Sequence, residues 1–166
     1  LIAGLAAVWR WPARRLAPVA FLVLAGYLGL QAVLQQRAIA TGADYARAQR
    51  LDAAASHALP QPLSPFHWLI IVQHGDSYHT ARINLAGGRR ASAPATAGFF
   101  ARLMADFQPV AAATWTRHTR YGELPADRAL ARPAFEHEAF ASFRRFARFL
   151  VLDHIETRHD GTCIWF

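Results

Sequence analysis

Nineteen consecutive residues from Leu16 to Leu34, LAPVAFLVLAGYLGLQAVL, carry no charged side chain. Coiled as a helix they would extend about 28 Å at ~1.5 Å per residue, close to the ~30 Å hydrocarbon core of a bilayer. Ten of the nineteen are Leu, Val or Phe, each favouring mid-membrane placement by ~0.3–0.6 kcal/mol, so insertion gains about 3–6 kcal/mol before Pro18 and Gln31 are counted against it. Pro18 falls in the first turn, where its missing N–H costs nothing. Gly26 and Gly29 are tolerated in membrane helices and permit close helix approach. A buried helix of a soluble protein competes for the same run, but the length favours a span at residues 16–34.

Upstream, LIAGLAAVW leads to Arg10, Trp11, Pro12, Arg14 and Arg15. Residues 1–9 read as the tail of an earlier membrane helix, with Trp9 and Trp11 in the interfacial belt and the arginines in a short cytoplasmic loop. That orientation places the C-terminal domain in the periplasm and the chain in a bacterial inner membrane as a multi-pass protein. Leu1 stands where a methionine would open a complete chain, so the sequence reads as a piece of a longer one. A cleaved signal peptide is a poorer account, because no small-residue cleavage site follows the apolar run.

Charge divides the chain. The first acidic residue is Asp44, preceded only by Arg10, Arg14, Arg15 and Arg37, so the 18 basic and 11 acidic residues are unevenly placed. All the basic residues are arginine, a usage that points to coding bias rather than to nucleic acid. No basic stripe of the kind a nucleic-acid interface needs is apparent, and Arg89/Arg90 and Arg144/Arg145/Arg148 are assigned to solvated faces. With 54% hydrophobic residues the chain is too apolar for disorder. A single cysteine, Cys163, excludes an internal disulfide and a multi-cysteine zinc site.

After Leu34 the pattern stays helix-compatible, which predicts a helical extension over residues 35–58 with Gly42 as its weak point and Pro60 and Pro62 as its end. Residues 59–166 then read as a small α+β domain. His67 to His74 is a strand by composition, Gly75-Asp76 a two-residue turn, and Ser77 to Leu85 the returning strand. Pairing His74 with Ser77 puts Trp68, Ile70, Val72, Ile83 and Leu85 on the core face and Leu69, Ile71, Tyr78, Thr80 and Arg82 on the other. Gly87, Gly88, Arg89 and Arg90 form a loop that lacks the sequel of a phosphate cradle. Helices are expected over Thr96 to Phe107 and Pro133 to Leu150, the first carrying Phe99, Phe100, Leu103, Met104 and Phe107 on one stripe, the second Phe135, Phe140, Phe143, Phe146 and Leu150. Between them, Val110 to Gly122 holds a strand with Trp115 inward, and the C-terminus reads as strand, turn at Asp160-Gly161, and strand.

Chemistry-bearing residues are sparse. None of the eight histidines falls in a recognised metal spacing. His74 and His79 share a face diagonally across the hairpin and are assigned to a solvated strand end. His137-Glu138 lacks the second histidine of a zinc-protease helix, and Glu136, His137 and Glu138 suit a polar first turn. Alternation along a strand would point Asp153 and His154 to opposite faces. Ser64 and Ser77 sit in no nucleophile elbow, and Cys163 reads as a small buried hydrophobe. No catalytic, cofactor-binding or metal-ligating residue is therefore assigned in this segment.

The order of features adds to this reading. A membrane helix, an extended helical exit, the run Pro60-x-Pro62-x-x-Pro65-x-x-Trp68, a hairpin centred on Asp76 to Tyr78, and the closing FRRFARFLVLDHIETRHDGTCIWF resemble the C-terminal half of the bacterial membrane-bound metal-dependent hydrolases (YdjM-like). The matching positions are Pro62, Pro65, Phe66, Trp68, Asp76, Tyr78, Phe143, Arg144, Phe146, Phe149 and Gly161, over about 110 of the 166 residues. The resemblance implies a hydrolase whose divalent-metal ligands lie upstream of Leu1, with this domain shaping or covering that site and the lipid bilayer as its partner. The rival expectations are a non-enzymatic membrane-anchored binding or assembly module and a sensor ectodomain.

Overall fold

A computed structural model describes residues 13–62, 64–87, 98–99, 105–159 and 161–166. The expected earlier span at residues 1–9 lies outside them. So do residues 88–90 of the glycine–arginine loop and residues 96–97 and 100–104 of the helix expected over 96–107.

Helix α1 runs unbroken over Ala13–Ala48, about 54 Å at ~1.5 Å per residue. From Ala17 to Leu30 every side chain is exposed. These include Phe21, Leu22, Val23, Leu24 and Leu28, large apolar groups that none of the described residues covers. From Gln31 onward a rhythm of four begins, and Leu34, Ala38, Gly42 and Ala46 are buried. This is the i, i+4 stripe by which a helix packs on a sheet. One helix thus has two halves, the first of which contributes to a stretch long and apolar enough to cross a membrane.

The helix ends ten residues before the predicted limit of its extension. Arg50 takes a left-handed φ of 55°, and the Leu51 amide turns back to the Ala46 carbonyl, closing the last turn as a glycine usually would. Strand β1 (Ala55–Pro60) follows where helix was expected. It pairs antiparallel with β2 (His67–His74), which pairs antiparallel with β3 (Ser77–Asn84). The His74–Ser77 register is the predicted one, and Trp68, Ile70, Val72 and Ile83 fill the face against α1. Each such side chain removed from water contributes ~1.5–3 kcal/mol. Gly42 is the point of closest approach, where an added Cβ would lie 2.9 Å from Ile70 Cγ2 and 3.1 Å from Ser56 Cβ.

Two short strands share the far edge of β3. The parallel β4 (Gln108–Pro109) pairs at Ile83 and Asn84, and the antiparallel β5 (Thr116–Thr119) pairs from Ser77 to Thr80. Between them the chain makes a single 3₁₀ turn at Val110–Ala112, so the predicted strand from Val110 is confined to its second half. Trp115 does turn inward.

The predicted helix from Pro133 to Leu150 is replaced by two. Helix α2 covers Pro125–Glu136 and α3 covers Ala141–Phe146, with a 3₁₀ turn at Glu138–Phe140 between them. Pro125, rather than Pro133, occupies the first turn of α2. Glu136 accordingly closes α2, where it pairs with Arg132 at 3.1 Å, while His137 caps the 3₁₀ turn through Nδ1. Arg144 is not on a solvated face: its guanidinium bonds the carbonyls of Phe135 and His137, the open end of α2. A second sheet of β6 (His154–Arg158) and β7 (Gly161–Trp165) closes with Arg158 opposite Gly161, one residue upstream of the expected turn. Tyr121, Ala131, Phe135 and Leu150 form its own small core. The architecture is α+β, with a long apolar helix leading into a mixed sheet.

Candidate functional site

Four constructions bring polar or titratable side chains together. The first joins α1 to the sheet. Tyr45 stacks on Trp115 with centroids 3.7 Å apart and planes 13° from parallel, and its hydroxyl shares a 2.9 Å hydrogen bond with His79 Nδ1. His79 is thus no solvated strand-end residue. Burial, then the positive charges of Arg117 and His74, hold its imidazole below the usual histidine range. Burial likewise lowers His67, which stacks on Phe107 at 4.3 Å with its Nδ1 unpartnered.

These shifts set a pH dependence. In the folded state both rings favour the neutral form, so below the ordinary value of ~6.5 the unfolded chain binds more protons than the folded one. Stability is full above that value and is lost as pH falls through the lowered folded values. Thermal melts between pH 8 and pH 5 should show a falling midpoint only in the acid half, with a shallower fall for His67→Phe. An unchanged slope in that variant would remove His67 from the account.

The second construction is a groove of roughly 440 Å³ where β4 and β5 part company on β3. Leu69 and Ala81 line it together with Thr80, Arg82, Asp106 and His118. Thr80 Oγ1 lies 3.2 Å from His118 Nε2, and Arg82 pairs with Asp106 at 3.3 Å. Both pairs satisfy their own members, which suits the groove to a neutral polar guest rather than to acid–base work.

The third is a clamp at the end of the hairpin away from Trp68. The Arg120 guanidinium donates to the Tyr78 hydroxyl, 2.7 Å from its Nε, and lies 5.2 Å from the Tyr78 ring centroid and 5.6 Å from that of Phe135. Its backbone accepts from Leu152 and donates to Asp76. Tyr78 is 1% exposed, and Phe149 meets its ring edge-on. Arg120 therefore ties the main sheet to the second core.

The fourth, beside it, is a cleft of roughly 330 Å³ lined in part by Glu123, Asp127, Asp153 and His154. Asp153 and His154 do not face apart as strand alternation would require. Asp153 lies just before β6, and its carboxylate meets His154 Nδ1 at 2.8 Å. The pair is more than half exposed. Asp153 can orient the imidazole, but no hydroxyl nucleophile is placed against it among the hydrogen bonds described.

The remaining sequence candidates are structural. Ser64 Oγ accepts from the Phe66 amide, Ser77 Oγ accepts from Arg117, and Cys163 is half-buried and free. Among the described residues, no three His, Cys, Asp or Glu side chains gather so as to hold a metal ion. Compared with protein-family models, with curated proteins and with solved structures, the chain matches none.

Sequence reasoning missed Arg120, Arg82 and the Asp153–His154 pair. Their partners come from other segments or from a strand boundary, and no local spacing announces either. The alternation in Thr116-Arg117-His118-Thr119 was the one available signal for the groove wall.

Proposed function

We propose that the chain is the C-terminal part of a multi-pass inner-membrane protein similar to the membrane-bound metal-dependent hydrolases, with its domain on the periplasmic side. In this reading the domain is a cover held at the membrane, and the chemistry belongs to residues outside those described. What supports it is the position of the run Pro60-x-Pro62-x-x-Pro65-x-x-Trp68. Pro60 and Trp68 of that run line a common pocket with Leu28, Gln31 and Gln35 of α1, where the exposed apolar half of the helix meets the domain. Such a placement would let the domain close over a site at the membrane surface.

The donors within the described residues do not fit a resident metal. His79 is engaged with Tyr45, His118 with Thr80, and His154 with Asp153. No catalytic step is assigned to a metal in this segment.

A second reading, a non-enzymatic binding or assembly module, is favoured by apolar groups left bare on the C-terminal unit. Phe146 is 89% exposed, Trp165 50% and Phe143 43%, a concentration that suits a protein partner. Metal analysis of the full-length protein, purified without chelators, separates the two. The hydrolase reading expects a stoichiometric divalent ion that is absent from a protein comprising these 166 residues alone. A folded full-length protein free of metal would overturn it and leave the assembly module standing.

A further inference from the structure

The uncharged part of α1 is longer than its exposed part. Between Arg15 and Arg37 lie twenty-one residues without a charge, about 32 Å of helix, which is the thickness of a hydrocarbon core. Yet packing against the domain begins at Gln31. The exposed stretch from Ala17 to Leu30 reaches only about 21 Å. A span that fills the hydrocarbon must therefore bring the nearest edge of the domain down to the bilayer surface. Among the described residues, that edge is the turn formed by residues 60–62 and 64–66.

The turn is built for such a place. Three prolines restrict its backbone before any contact is made. The Gln61 amide donates to the His67 carbonyl at 3.0 Å, Phe66 donates to Ser64 Oγ, and Trp68 Nε1 donates to the Pro65 carbonyl at 3.0 Å. Several of its polar groups are thus satisfied internally, which suits contact with a poorly hydrated layer. Between the turn and α1 lies a cavity of roughly 540 Å³ lined, among the described residues, by Tyr27, Gln31, Gln61, Ser64 and prolines, none of them charged. Gln31 Nε2 donates to the Tyr27 hydroxyl, and Gln31 Oε1 is buried with no partner. An aromatic and two amides around an uncharged pocket match the chemistry of the membrane–water interface, where amphipathic rings collect.

We infer that residues 60–62 and 64–66 are seated in the interfacial layer of the bilayer, and that the cavity beside Gln31 receives the glycerol and headgroup region of a phospholipid. The inference rests on the membrane-anchored reading of α1.

Because Cys163 is the sole cysteine, a Cys163→Ser background allows single nitroxide labels. The protein, reconstituted into phosphatidylethanolamine–phosphatidylglycerol vesicles, is labelled in turn at Leu24→Cys, Gln61→Cys and Asp76→Cys, with Pro62→Cys as an independent position in the turn. Power saturation then compares access by oxygen, which favours lipid, with access by a water-soluble nickel chelate. Asp76 is the aqueous reference, because the eight-residue β2 carries it about 26 Å from the turn. The expected oxygen-to-nickel ratio at Gln61 and Pro62 is severalfold above that at Asp76 and below that at Leu24. Ratios at Gln61 and Pro62 equal to that at Asp76, with Leu24 still in lipid, would overturn the seating of the turn alone. A Leu24 label open to the nickel chelate would overturn the anchored reading and the inference with it.

Discussion

Tyr78→Ala is expected to cost about 3–5 kcal/mol of stability, the range for emptying a buried aromatic site. The ring is 1% exposed and meets Phe149 on one side and the Arg120 guanidinium on the other. Tyr78→Phe isolates the polar part of that loss. It keeps the ring and removes only the hydroxyl, so Arg120 loses its oxygen acceptor in a half-buried site. A hydrogen bond to a charged group contributes ~1.5–3 kcal/mol, and the Phe variant should lose an amount in that range. Thermal unfolding followed by circular dichroism measures both. A Phe variant as stable as the parent would mean that Arg120 is held by its rings and backbone alone.

The next largest effect is expected at Gly42. A leucine there must drive α1 away from the sheet, because the first carbon of its side chain already meets Ile70 and Ser56 at about 3 Å. Overpacking of this kind costs ~1–3 kcal/mol and occasionally more, and Gly42→Leu belongs at the upper end. Gly42→Ala is the informative companion. Alanine brings that same first carbon against Ile70 and Ser56, which offsets the up to ~1 kcal/mol of helix propensity it gains over glycine, so it should destabilise, but by less than leucine. Proteolysis across residues 49–54, which join α1 to β1, reports the separation directly. Equal cleavage of the parent and the leucine variant would show that the helix and sheet tolerate the wedge.

What could be read in the sequence follows from the range of the interactions involved. The β2–β3 hairpin was legible to its register, because two-residue alternation and a Gly75-Asp76 turn are local signals. The apolar run in α1 was equally plain. The end of α1 was not, since it turns on Arg50 in a conformation that glycine normally marks. Pro133 misled for a related reason: a proline suits a first turn, and the better first-turn proline, Pro125, stood ahead of a weakly apolar segment. Gly42 looked like a flaw in a helix because its reason lies in Ile70, twenty-eight residues later. The same holds for the candidate sites. Arg120 meets Tyr78 from the turn that follows β5, forty-two residues along the chain, and Asp153 meets His154 only because the strand starts one residue later than alternation assumed.

The unbroken course of α1 from its bare half into its packed half has a mechanical meaning. With no glycine–proline joint between Leu30 and Leu34, the domain inherits both the height and the compass bearing of the helix. Each residue of an α-helix adds about 1.5 Å of rise and 100° of rotation. The number of residues above Gln31 therefore sets which side of the domain looks toward any neighbouring span, so that chain length alone works as an angular coordinate for whatever the grooves on β3 and beside Asp153 face.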